Sequence, residues 1–122
     1  MIIDSLREYS VAQGAITATA ASTNKLDGGS VSNNIGTRLM AVATVAGTGA
    51  GTIQVVLQDS ADNSSFADVL AGAPIVGSTI AAGDELINVS YPKTVRRYTR
   101  LNYVVVSTVG AVKVNAFDAI DM

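Results

Sequence analysis

Neither cysteine nor histidine occurs in the 122-residue sequence. Without cysteine there is no disulfide framework, no thiolate nucleophile and no Cys-based zinc site. Without histidine the chain lacks the side chain used most often for acid–base catalysis near neutral pH, which is also the commonest transition-metal ligand. Ser-His-Asp and Cys-His catalysis are therefore excluded. We expect a protein that is not an enzyme and that uses no metal, cofactor or small-molecule substrate.

Charged and aromatic side chains are also scarce. Charged residues make up 15% of the chain, against about a quarter in an ordinary globular domain, and the formal net charge is −2. Such a chain is not built to coat a polyanion, so we expect no nucleic-acid partner. The aromatic residues are four Tyr and two Phe, with no Trp. Most of the apolar residues are Ala and Val, a mix that suits thin β layers better than a bulky helical core.

Long hydrophobic runs are missing. No uninterrupted apolar stretch approaches the roughly 18 to 20 residues that span a bilayer. The first ten residues, MIIDSLREYS, carry acids where a secretory signal would carry bases. We therefore expect no membrane partner and a chain that is made in the cytoplasm.

Short alternating and β-branched segments recur between Gly, Asn, Asp and Ser residues, and this spacing predicts an all-β fold. We predict an N-terminal arm (residues 1–14) followed by a single domain (residues 15–122), an antiparallel β-sandwich of the jelly-roll type with about eight strands. Periodicity alone does not separate this fold from an immunoglobulin-like sandwich, although the Cys and Trp of true immunoglobulin domains are missing. The strands are predicted at Ala15–Ser22, Arg38–Val45, Thr52–Asp59, Pro74–Ile80, Glu85–Ser90, Arg97–Ser107 and Ala111–Phe117.

The run AGTGAG, Ala46 to Gly51, separates two of these strands, and the pattern predicts that they form a hairpin. The run has no Lys to reach a phosphate and no helix after it, so it is not a phosphate-binding loop. Asp84 and Glu85 are adjacent and would point to opposite faces of a strand, which excludes a glycosidase pair.

The acidic run DSADNSSF, Asp59 to Phe66, is typical of a turn, and we expect it to return Phe66 and then Val69 and Leu70 to the core. Its Asp, Asn and Ser side chains could also suggest a calcium loop. The run lacks the glycine and the terminal glutamate of an EF-hand loop, so a turn is the preferred interpretation.

The arm holds Ile2, Ile3, Leu6 and Tyr9 among polar residues. The arm could be a frayed terminus with a first edge strand. Alternatively, these side chains could be buried only on a partner, and the sequence leaves both interpretations open.

Half of the chain's basic residues lie in the stretch YPKTVRRYTRLNYVVV, namely Lys93, Arg96, Arg97 and Arg100. Alternation along the predicted strand puts Leu101, Tyr103 and Val105 on the core side and Tyr98 and Arg100 on the outer side. Arg97 shares the first face but lies where the strand leaves the core.

Three roles are open for these bases. Nucleic-acid binding would need more positive charge and stacking aromatics on an open face. The bases could instead neutralise nearby acids such as Asp84 and Glu85, or shield a strand end in solvent. The role we favour is a protein interface that includes Tyr98, because Arg and Tyr are enriched in interface cores and Arg binds carboxylates through two parallel hydrogen bonds.

Three pieces of the sequence, read in order, carry a resemblance to a known family: MIID…YSVAQ…ITATAASTN, GTIQVVLQDSADNSSFADV and RRYTRLNYVVV. They resemble the capsid cement (decoration) proteins of tailed bacteriophages, the family typified by the cement protein of the Bordetella phages. Arg97, Tyr98 and residues 100–103 match the family pattern as strand positions. Thr99 departs from it, since family members tend to have a larger apolar residue there.

The resemblance implies a jelly-roll protein on the outer surface of an icosahedral capsid. There it would cement neighbouring major capsid protein subunits, with a homodimer expected and a trimer as the alternative. Two rival functions remain: a small phage tail or connector protein, and a receptor- or carbohydrate-binding β-sandwich module.

Overall fold

A computed structural model of the chain describes residues 2–27, 37–90, 92 and 95–120; for residues 2–7, 27, 37, 119 and 120 it describes the backbone alone. The prediction of an all-β fold is confirmed: the described residues form antiparallel strands and one 3-10 turn, Gly77–Thr79. The strands are β1 Ile2–Gln13, β2 Ala20–Ala21, β3 Leu26–Asp27, β4 Thr37–Val45, β5 Thr52–Ser60, β6 Ala67–Ala71, β7 Ile75–Val76, β8 Glu85–Ser90, β9 Tyr98–Val106 and β10 Lys113–Ile120.

The strands form two sheets with jelly-roll topology. One sheet has the order β1-β10-β4-β8, and the other has the order β2-β9-β5-β6 with β3 also on β9 and β7 also on β5. The pairing is nested, since β1 pairs with β10, β2 and β3 with β9, β4 with β8, and β5 with β6 and β7. This is a long hairpin rolled into two layers, with interrupted strands at β2–β3 and β6–β7.

Alternate residues of the central strands fill the space between the sheets. In β9 the predicted faces are confirmed: Leu101 and Tyr103 are fully buried, whereas Tyr98 and Arg100 lie on the outer side and are partly exposed. The remaining fully or almost fully buried side chains of the two sheets are mainly aliphatic and include Leu39, Ala41, Ala43, Ile53, Val55, Leu57, Val114 and Ala116. Each large aliphatic side chain contributes about 1.5–3 kcal/mol through its removal from water.

The predicted hairpin between the strands that flank Ala46–Gly51 is wrong, because β4 and β5 lie in different sheets. The glycine-rich run crosses from one sheet to the other. A Cβ atom on Gly51 would lie 2.3 Å from the backbone nitrogen of Thr108 and 2.4 Å from the carbonyl oxygen of Val106. Glycine is needed there for close backbone packing rather than for a tight turn.

The strand predicted at Ala15–Ser22 is reduced to the two residues of β2, and the one at Pro74–Ile80 to β7 and the 3-10 turn. Side chains replace the missing ladder bonds beside β9. The backbone N–H of Leu101 donates to Ser22 Oγ at 3.0 Å, and that of Val105 donates to Thr19 Oγ1 at 3.0 Å. Ser and Thr hydroxyls compete with backbone partners in this way and interrupt a strand.

Residues 2–13 of the predicted arm form the edge strand β1 on the four-stranded sheet. Between Glu8 and Ser10 the register with β10 shifts by one residue, as in a β-bulge, and both Tyr9 and Ser10 are buried. The Tyr9 hydroxyl lies 2.9 Å from Thr99 Oγ1 of β9, across the sandwich. The smaller side chain at Thr99 therefore forms a hydrogen bond between the sheets. The Tyr9 ring is buried by residues of its own chain.

Candidate protein interface

The basic stretch before and within β9 divides between two environments. Arg96 and Arg97 lie in the segment that enters β9, and Arg100 lies on the outer face of the six-stranded sheet. Lys93 lies outside the described residues. The side chains of Ile2, Ile3 and Leu6 are not among those described either, and their backbones lie in β1.

Arg96 pairs with an acid of its own chain. Its backbone N–H donates to Asp59 Oδ2 at 2.9 Å, and its Nε and Nη2 donate to Oδ1 at 3.0 and 2.8 Å. Burial raises the pKa of the Asp59 carboxyl, but the hydrogen bonds and the charge of Arg96 outweigh burial and hold that pKa below its usual value. Neutralisation of a local acid is therefore what Arg96 does, with Asp59 as the acid rather than Asp84 or Glu85.

Arg100 belongs to a row of polar side chains that crosses the outer face of the sheet. Gln58 of β5 stands opposite both Arg100 of β9 and Asp68 of β6. Arg100 Nε donates to Gln58 Oε1 at 2.8 Å, and Gln58 Nε2 donates to Asp68 Oδ1 at 2.8 Å. Gln58 is 8% exposed, so this row holds the Arg100 side chain in one position on the sheet.

Phe66 lies on this outer face, which corrects the expectation that it would turn into the core. The turn that carries it is closed by Asp62, whose Oδ1 accepts the backbone N–H groups of Ser64 and Ser65, each at 3.0 Å. These bonds and one from the Ser60 hydroxyl lower the pKa of Asp62 to about 2. The preferred interpretation of the acidic run as a turn thus agrees with its geometry.

Two cations contact the partly exposed Phe66 ring. Arg100 Cζ lies 4.2 Å and Lys25 Nζ 5.3 Å from the ring centroid, within the range of cation–π attraction. Neither Lys25 nor Arg100 forms an ion pair with another described residue. Next to this group, Arg97 is exposed and its Cζ lies 4.9 Å from the Tyr98 ring.

The arrangement presents fixed positive charge beside two aromatic rings, a composition that suits contact with carboxylates of another protein. Of the predicted interface residues, the structure brings Arg97, Tyr98 and Arg100 together on this side of the molecule. Sequence reasoning missed Lys25 and Phe66. Lys25 precedes the short strand β3, which pairs with β9 at Thr99 and Tyr98, and no periodicity in the sequence indicates that pairing.

Among the residues that the structure describes, no group of three or more Asp or Glu side chains is placed to hold a metal ion. No helical segment in the same residues is long and apolar enough to cross a bilayer.

Comparison with known proteins identifies the family. No curated protein matches the chain in sequence. The sequence model of the Bbp16 family matches residues 9–120, from the buried Tyr9 of β1 to the last residue of β10. Because this match covers most of the chain, from within β1 to the end of β10, the chain belongs to the Bbp16 family, a family of Bordetella phage structural proteins.

Proposed function

We propose that the protein is a capsid cement protein, which binds the outer surface of an icosahedral phage capsid and links neighbouring major capsid protein subunits. The observation that carries the proposal is the family match over residues 9–120. The order of the three sequence motifs that resemble cement proteins supports the finer role. The protein acts without catalysis, is made in the host cytoplasm and is incorporated into the virion.

The architecture suits this role. A cement protein must present a fixed surface, and the interface residues here are held by a packed sheet: Arg100 is bonded to Gln58, and Tyr98 and Arg100 stand on the outer face of β9. Single contacts of this kind are weak. Many copies on a lattice reinforce one another because the first contact raises the effective concentration for the next.

The attachment surface that we propose includes Arg97, Tyr98 and Arg100, together with Phe66 and Lys25. A homodimer would present this surface twice, which would let one cement unit contact two capsid subunits, and a trimer would present it three times. Light scattering on the purified protein would distinguish these states from a monomer.

Copy number tests the proposal directly. Quantitative mass spectrometry of purified virions should find this chain on the order of hundreds of copies per particle, as expected for a protein spread over an icosahedral lattice. A ring of about six or twelve copies would instead indicate a connector or tail protein and would overturn the proposal. Particles assembled without the protein should lose integrity at a lower temperature than complete particles and regain it when purified protein is added.

A further inference from the structure

Lys25, Phe66 and Arg100 form a group at the outer face of the six-stranded sheet, called here the Phe66 cluster. Both cations contact one ring, so their charges are separated by no more than about 10 Å, one Debye length at 0.1 M salt. Their positive potentials therefore add. The chain has ten acidic residues, yet it places none of the described ones in an ion pair with Lys25 or Arg100.

Arg96 and Arg100 lie close together in the sequence but bind partners of different charge. Arg96 is bound to Asp59 through its backbone, Nε and Nη2. Arg100, four residues later, uses Nε on the neutral amide of Gln58. The described contacts thus leave the outer edge of the Arg100 guanidinium available for a planar acceptor such as a carboxylate.

We propose that the Phe66 cluster binds a carboxylate of an acidic, extended segment of the capsid protein. This inference rests on the proposed function and specifies the chemistry of its partner. A carboxylate accepts two hydrogen bonds from the Arg100 guanidinium and gains a second, longer-range attraction from Lys25. The partly exposed Phe66 ring contributes apolar contact at the same place.

The same cluster is poorly suited to a nucleic acid. The ring on which a base would stack is already in contact with two cationic groups. Two exposed acids, Asp62 in the turn and Asp68 at the end of the polar row, lie close by and would repel a phosphate backbone. A single carboxylate on a flexible segment can avoid these acids, whereas a continuous polyanion cannot.

The experiment measures binding of purified protein to capsids that lack it, by cosedimentation over a range of concentrations. Arg100→Gln should weaken binding about tenfold, the loss expected for a charge-assisted hydrogen bond. Lys25→Gln should weaken it about threefold, as for an exposed ion pair. The matched controls are Arg38→Gln and Lys113→Gln, which remove the same charges from the four-stranded sheet and should bind like wild type.

A second measurement identifies the class of partner. An oligoglutamate peptide titrated into 15N-labelled protein should shift the amide signals around residues 25, 66 and 100. The shifts should disappear in the Lys25→Gln/Arg100→Gln double variant and near 1 M salt, where the Debye length is about 3 Å. Circular dichroism and thermal unfolding would establish that each variant is folded.

The outcomes separate this inference from the proposed function. If wild type binds capsids and both cluster variants bind equally tightly, the inference fails and the cement function stands. If wild type does not bind capsids, the cement function fails, and the peptide titration alone decides whether the cluster binds carboxylates. Single-stranded DNA and oligoglutamate can also be compared as competitors at equal concentrations of negative charge. If the DNA displaces the protein from capsids at the lower concentration, the inference is overturned in favour of a nucleic-acid partner.

Discussion

A buried hydroxyl pair joins the two sheets and can be tested by a double-mutant cycle. The Tyr103 hydroxyl of β9 lies 2.7 Å from Ser10 Oγ of β1, and Ser10 donates to Gln13 Oε1 at 2.6 Å. A serine hydroxyl has a single hydrogen and an amide oxygen only accepts, so the Tyr103 hydroxyl is the donor in the first contact. Tyr103 is fully buried and Ser10 is 1% exposed.

Tyr103→Phe removes the donor and keeps the ring, so it should destabilise the fold by about 1–1.5 kcal/mol, the net value of one hydrogen bond. Ser10→Ala leaves the buried phenol and Gln13 without their serine partner and should cost about 1–3 kcal/mol. The double variant should cost less than the two single losses combined, with a coupling energy of about 1 kcal/mol. For a chain of this length each kcal/mol corresponds to a Tm shift of about 3–6 °C.

Urea and thermal unfolding of the four proteins would measure these values. Tyr98→Phe is the matched control, since Tyr98 lies on the outer face of the same strand, and its effect should stay within about 0.5 kcal/mol. A coupling energy near zero, or equal losses in Tyr103→Phe and Tyr98→Phe, would refute the reasoning. It would mean that the Ser10–Tyr103 hydroxyl pair contributes nothing measurable to the attachment of β1 to the second sheet.

The same phenol should make stability depend on alkaline pH. Burial raises the pKa of Tyr103 above its ordinary value of 10.0, because the charged form is poorly solvated in the core. The contribution of Tyr103 to the free energy of unfolding is therefore present in full below about pH 10. It declines as the pH rises further, because the phenol loses its proton more readily in the unfolded chain than in the fold. Tyr103→Phe should lack this part of the decline.

Three further predictions concern the Arg96–Asp59 pair, the turn closed by Asp62 and two glycines. Arg96→Ala should return the pKa of Asp59, now lowered, towards or above its usual value of 3.8, measured by NMR titration of the carboxyl carbon; an unchanged pKa would contradict the pairing. Hydrogen bonds hold the pKa of Asp62 at about 2, so the contribution of this carboxylate to stability should be complete above about pH 4 and should fall towards pH 2. An Asp62→Asn variant that shows the same acid dependence would contradict this. Gly51→Ala should destabilise more than Gly83→Ala in urea unfolding, because a Cβ on Gly51 meets backbone atoms at 2.3 and 2.4 Å whereas none lies within 4 Å at Gly83; the cost at Gly83, about 1–2 kcal/mol, comes from its positive φ alone.

Local pattern predicted the two faces of β9 and the all-β class correctly because both depend on the alternation of side chains along a strand. Its errors fall where distant backbone decides the structure. The hairpin expected across Ala46–Gly51 fails because both flanking strands find partners far along the chain, β10 for β4 and β9 for β5. Nothing in the local spacing distinguishes a hairpin loop from a crossing between sheets.

The candidate interface shows the same division. Arg97, Tyr98 and Arg100 were predicted from their density in one stretch and from strand alternation. Phe66 and Lys25 were not, because their place beside Arg100 depends on the pairing of β3 and on the turn closed by Asp62. The different roles of Arg96 and Arg100 also follow from the β5 side chains that they contact, Asp59 and Gln58 respectively.

The sequence by itself determines that this chain lacks the sites that need cysteine or histidine, and that it folds as β layers, because composition and alternation act residue by residue. The tertiary structure alone decides that Tyr9 is core, that Arg96 is paired with Asp59 and that Lys25 and Arg100 share the Phe66 ring. Each of these facts is a contact between residues far apart in the chain, and such contacts exist only once the rolled hairpin has brought β1, β3, β5 and β9 together.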